Sequence, residues 1–174
     1  MNASAASLHP CARCASVQRT CCQRAEILVT AGDVARIGAF LTAGGAPGAT
    51  MDFVERRAPL DPEYVRSDPD DPNWVRYTVA ADGTRRMLRK QANGDCTFLG
   101  QRGCVLPEDV RPLVCRLYPY FYAEDGLDGV DSEYCPTALL APDGRSMADV
   151  LDIPAAKAEG WRQQLYQELR HGTP

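Results

Sequence analysis

The chain has 174 residues, 45% hydrophobic and 24% charged, a balance that can bury a core without covalent staples. Its net charge of −4 lacks the basic excess of a nucleic-acid-binding protein, so nucleic acid is not an expected partner. No apolar run approaches the roughly 18 residues needed to span a bilayer, and residues 1–10 carry neither the basic nor the apolar part of a signal peptide. The expectation is a cytoplasmic protein with no membrane partner. Eight cysteines in a reducing compartment then point to metal or redox chemistry and away from the disulfide framework of a secreted domain.

Residues 1–10 read as a flexible lead-in. Residues 11–174 read as one domain, with metal ligands in a core over 11–135 and a loop and C-terminal helix over 136–174. Cys11 to Gln23 reads as a polar, cysteine-rich loop. Thr30 is a good N-cap with Asp33 three residues on, and Val34, Ile37, Phe40 and Leu41 recur at helical spacing until Gly44-Gly45 and Pro47. A second short helix is expected from Thr50 to Arg57. Pro59, Pro62, Pro69 and Pro72, interleaved with Asp61, Asp68, Asp70 and Asp71, make a stiff acidic connector. It lacks the glycine turn and closing Glu of a calcium-binding EF-hand, and a solvated role is expected.

Alternation from Trp74 to Val79, followed by Asp82-Gly83, predicts a hairpin with Arg85 to Leu88. The basic run Arg85, Arg86, Arg89 and Lys90 reads as a solvated face. A second hairpin is expected from Cys96 to Leu106, turning near Gly100 to Gly103. Pro107 opens a helical turn through Val110, Leu113 and Val114. A loop with Gly126 and Gly129 leads to Cys135-Pro136, and a last helix runs from about Pro154 to Arg170. Together these predict an α+β fold: a small antiparallel sheet of hairpins, surrounding helices and a cysteine-rich metal-binding loop region.

The candidate metal ligands are Cys11, Cys14, Cys21, Cys22, Cys96, Cys104, Cys115 and Cys135. Cys11 and Cys14 have the two-residue spacing at which a tight turn aims two sulfurs at one metal. Cys96 and Cys104 flank the second hairpin, and a common face across it would bring both to one site. Glycine beside each lets the backbone bend close to a centre. Arg111, Arg116 and Tyr118 stand around Cys115, where arginine lowers thiol pKa values and offsets the charge of a thiolate centre. Neighbouring side chains in an extended segment point opposite ways, so Cys21 and Cys22 are expected to serve different centres. One would join Cys11 and Cys14, the other Cys96 and Cys104, with Cys115 and Cys135 completing one set each. His9 could be a mixed ligand, whereas His171 reads as solvated. No serine–histidine–acid set, phosphate-binding loop or dinucleotide fingerprint is present.

Several stretches carry a family resemblance: Cys11-Ala-Arg-Cys14, Cys21-Cys22, the run from Val29 to Ile37, Cys96-Thr97-Phe98-Leu99, Gly103-Cys104-Val105, Arg111-Pro112, the run from Cys115 to Pro119, and Cys135. Over residues 11–135 the chain resembles the YkgJ-like cysteine-cluster family, a zinc- or iron-chelating domain with a CxxCxxCC signature. Six residues separate Cys14 from Cys21 where that signature has two, so the first loop is longer here. The resemblance implies metal chelation by these cysteines. The leading functional expectation is an iron–sulfur protein, since eight thiolates can hold two four-thiolate centres. The alternatives are a structural zinc protein with Cys₄ sites that mediates interactions, and a cluster-dependent enzyme that modifies proteins.

Overall fold

The structure is a computed structural model and describes residues 10–130, 135–172 and 174. Residues 1–9 of the expected lead-in, with His9, lie outside the described residues. The expected loop over 11–23 instead contains two short helices, α1 (Pro10–Ala15) and α2 (Cys21–Arg24). The Gln23 side chain accepts from the Thr20 amide at 2.9 Å and closes a capping box on α2. Helices this short leave no readable hydrophobic period.

Helix α3 (Ala31–Thr42) starts at Thr30 as expected. The Thr30 hydroxyl accepts from the Asp33 amide at 2.9 Å, and the Asp33 carboxylate accepts from the Thr30 amide at 3.0 Å. Gly44, at φ +79°, turns the chain away after it.

The helix expected over 50–57 is replaced by strand β1 (Val54–Arg57), which pairs antiparallel with β2 (Arg85–Leu88) from Val54 opposite Leu88 to Arg57 opposite Arg85. The expected partner of β2, residues 74–79, forms helix α4 (Trp74–Thr78) instead. Both edges of β2 are already taken. β1 covers one, and on the other the Val29 amide donates to the Arg86 carbonyl at 3.1 Å and the Leu88 amide to the Ile27 carbonyl at 2.8 Å. The Asp82-Gly83 turn forms, with Gly83 at φ +79°, and leads directly into β2.

The acidic connector is not solvated throughout, because Asp71 is buried and accepts a hydrogen bond from the Tyr166 hydroxyl. The basic run is likewise not a solvated face, since Arg85 is only 1% exposed.

The second hairpin is present but minimal: β3 (Leu99–Gly100) pairs with β4 (Gly103–Cys104), with Leu99 opposite Cys104. Cys96 therefore does not face Cys104 across a ladder. A turn closes first, the Leu99 amide donating to the Cys96 carbonyl at 2.9 Å, and Cys96 bridges Lys90 instead.

After the turn at Pro107 comes α5 (Leu113–Leu117). The expected glycine loop is a hairpin of β5 (Tyr120–Ala123) and β6 (Gly126–Val130). Helices α6 (Thr137–Leu140), α7 (Met147–Val150) and α8 (Ala155–His171) follow, and His171 ends α8 exposed.

The fold is α+β, although the described strands form three separate two-stranded antiparallel sheets and not one. Ile27, Val29, Ile37, Phe53, Leu88 and Phe98 build one apolar core, and Leu28, Leu113, Leu117, Leu165 and Leu169 build another between α5 and α8. A buried polar hub ties the helices together. Asp33, with no exposed surface, accepts from the Leu113 amide at 3.1 Å at the start of α5 and from Arg36 at 2.5 Å. Arg36 also pairs with Glu168 of α8 at 2.5 Å. No helix among the described residues is long and apolar enough to cross a membrane.

Candidate metal centre

All eight cysteines line one cavity of about 300 Å³. They arrive from α1, α2, the turn at Cys96, β4, α5 and the approach to α6. Gly103, at φ +96°, takes a left-handed conformation where β4 meets α1. A Cβ built there would lie 3.7 Å from the Ala12 nitrogen and 3.8 Å from the Cys11 Cβ, so α1 rests directly on β4.

Six of the eight cysteines pack in two groups. Cys96 belongs to the first apolar core, and Cys22, Cys104 and Cys115 pack against that core. Cys14 sits with Leu140 and Met147 in a separate cluster that Cys135 joins. The electrostatic neighbours do not follow that division: Cys22 acts on Cys96, Cys104 and Cys115, and also on Cys11, Cys14 and Cys21. Cys135 acts on both Cys11 and Cys14, while Cys21 is tied first to Cys22 by a side-chain hydrogen bond, with Cys115 and Cys11 as further neighbours. None of the described cysteines is in a disulfide, and no three His, Cys, Asp or Glu side chains among the described residues stand close enough together to form a metal-holding group.

Burial pushes the thiols up, Cys11 and Cys96 to about 12. Cys22 is the exception. A hydrogen bond with Cys21 pulls it down, helped by Lys90 and Arg111, while Cys21 is raised by the same shared proton.

Arg111 donates to the Leu106 carbonyl at 2.9 Å, and its charge lowers Cys104 against the effect of burial. Arg116 is used differently. It donates to the Arg111 carbonyl at 2.7 Å and the Asp109 carbonyl at 2.5 Å, holding the turn that carries Arg111. The Tyr118 hydroxyl lies 3.2 Å from the Cys135 sulfur.

Two neighbours of the thiols escaped the sequence reading. Lys90 donates to the Cys22 carbonyl at 2.8 Å, and Gln18 reaches the Cys14 sulfur at 3.8 Å. Lys90 was legible only through the turn at Gly94, which folds it back onto Cys96.

Away from the thiols the cavity wall is aromatic and carries a cation. Arg85 lies 4.6 Å over the Tyr64 ring, and Trp74 meets Tyr122 edge-on at 6.2 Å. Tyr122 has both Cys115 and Arg85 as electrostatic neighbours.

Eight thiols, two nearby cations and an apolar surround suit a thiolate-bound metal in kind. Compared with protein-family models, with curated proteins and with solved structures, the chain matches none.

Proposed function

We propose that the chain is a metal-binding protein of the YkgJ-like cysteine-cluster type, and that the cavity holds iron–sulfur chemistry. The observation that supports this best is the convergence of all eight cysteines, from segments far apart in sequence, on one cavity. Chance burial of cysteine does not require a common destination. Cys22, Cys96, Cys104 and Cys115 would hold one centre, and Cys11, Cys14, Cys21 and Cys135 the other. This assignment follows the two packing groups for six of the cysteines, and places Cys11 beside Cys14 and Cys135 with Cys21 as the fourth ligand.

An iron–sulfur centre supplies one-electron transfer when bound. The chain's own residues prepare its surroundings. Lys90 and Arg111 offset thiolate charge, Tyr118 and Gln18 address the sulfurs of Cys135 and Cys14, and Leu140 and Met147 exclude water.

Structural zinc is the second reading. It is favoured by the shortness of the ligand-bearing elements, since four- to six-residue helices and two-residue strands need tying together. The size of the cavity, at about 300 Å³, favours the larger centre.

Anaerobic purification followed by iron, sulfide and zinc analysis separates the readings. A brown protein with iron and acid-labile sulfide is the expected result, colourless protein with stoichiometric zinc supports the alternative, and protein that takes up neither metal rejects both. Replacing Cys104 with serine should lower metal content and thermal stability together. Unchanged metal content in Cys104→Ser would remove that residue from the ligand set.

A further inference from the structure

The sequence placed Arg85 in a solvated basic run, yet its side chain is almost wholly buried and lines the same cavity as the cysteines. A buried guanidinium normally satisfies its five donors with carboxylates or carbonyls. Here Nε and Nη1 have no hydrogen-bond partner. The nearest carboxylate is committed elsewhere: Glu26 pairs with Arg57 at 2.6 Å and accepts from the Leu60 amide at 3.1 Å. The strand register adds a further cost, because Arg57 stands directly opposite Arg85 on β1. The Tyr64 face, at 4.6 Å, compensates part of the charge, with Glu26 a further electrostatic neighbour. A cation that breaks local rules in this way, at the wall of a cavity, is the pattern of a binding residue and not of a stabilising one.

The rest of that wall defines what the cation would meet. Tyr64, Trp74 and Tyr122 present aromatic surface, and Tyr122 has both Arg85 and Cys115 as electrostatic neighbours. The cavity wall thus carries thiols and also an unsatisfied guanidinium among aromatic rings.

We infer that this part of the wall binds a small organic anion with a planar, apolar body, its carboxylate or phosphate taking the free donors of Arg85. A guanidinium N–H makes a charge-assisted hydrogen bond with either group. The inference does not depend on which metal the cysteines take.

The test uses the full chain isolated with its metal and three probes: benzoate, phenyl phosphate, and benzamide as the neutral counterpart of benzoate. Calorimetry should show at least one anion binding about tenfold or more tightly than benzamide, as expected for a charge-assisted pair in a buried site. Which anion wins distinguishes a carboxylate from a phosphate ligand. The chain has two tryptophans, so Trp161→Phe leaves Trp74 to report binding by fluorescence. A saturable change there places the anion at this part of the cavity.

Arg85→Met should erase the preference for the anion, and Arg85→Lys should restore part of it. If Arg85→Met does not fold, the wild-type ratio and the lysine variant still decide. Equal binding of benzoate and benzamide, no binding of any probe up to about 10 mM, or an anion preference that survives Arg85→Met would overturn the inference.

Discussion

The two halves of the molecule are held together by different means. Around Asp33, three helices meet through a buried carboxylate whose partners are all supplied by the chain: the Thr30 and Leu113 amides and Arg36, which reaches on to Glu168. Around the cysteines, the supporting elements are four to six residues long in the helices and two residues long in the strands. Their side chains converge on a cavity and not on one another. The first region completes itself; under the proposed function, a bound metal centre would complete the second. A protein can afford short, weakly propagating elements where a bound group ties them down.

The largest effect should come from breaking the self-sufficient half. Asp33→Ala removes acceptors from two buried amides and leaves Arg36 with Glu168 alone, which should cost about 3–5 kcal/mol in denaturant unfolding. A loss below about 1 kcal/mol would mean that the hub is not what joins α3, α5 and α8.

Removing metal should strike the other half. After chelation, hydrogen exchange over 10–24 and 96–104 should accelerate by about tenfold or more, while α3 and α8 change little. Equal acceleration in both regions would dissolve the distinction between them.

The smallest effect lies on α8. The Arg162 guanidinium, then Gln163, holds Glu159 down from its usual 4.5 to about 2. A depressed carboxylate contributes stability that is present above its unfolded pKa and lost as pH falls through the folded one. The window is thus pH 4.5 down to 2. Because Glu159 is partly exposed, the loss across it should be no more than about 1 kcal/mol. Glu159→Gln should flatten stability over that window without affecting metal content. A variant that keeps the full slope would assign the slope to other carboxylates.

Legibility in the sequence follows the same division. Helices α3 and α8 could be read because each is long enough to show a period and has a start signal, Thr30 with Asp33 in one case and Pro154 in the other. The short elements could not. The alternation from Trp74 to Val79 looked like a strand, but its intended partner β2 was already flanked by residues 27–29 and β1, a tertiary fact absent from any local pattern. Gly126 and Gly129 suggested a loop where a hairpin forms.

At the candidate site, the eight cysteines were visible from spacing and neighbours, whereas the side-chain hydrogen bond that joins Cys21 to Cys22 was not. The face-to-face placement of Cys96 and Cys104 was not, because the turn at Cys96 shifts the register to Leu99 opposite Cys104. Arg85 and Lys90 were read as solvent-facing since a charge run carries no mark of burial. One proved buried over Tyr64 and the other bound to the Cys22 carbonyl.

The claim that the cavity is a thiolate metal site is tested most directly by X-ray absorption at the edge of whichever metal copurifies under anaerobic conditions. Sulfur-only coordination at about 2.3 Å, with a metal–metal distance if iron is present, is the expected spectrum, and serine at Cys22 or Cys104 should reduce the sulfur count. A coordination sphere made of nitrogen and oxygen, or one unchanged by either substitution, would contradict it.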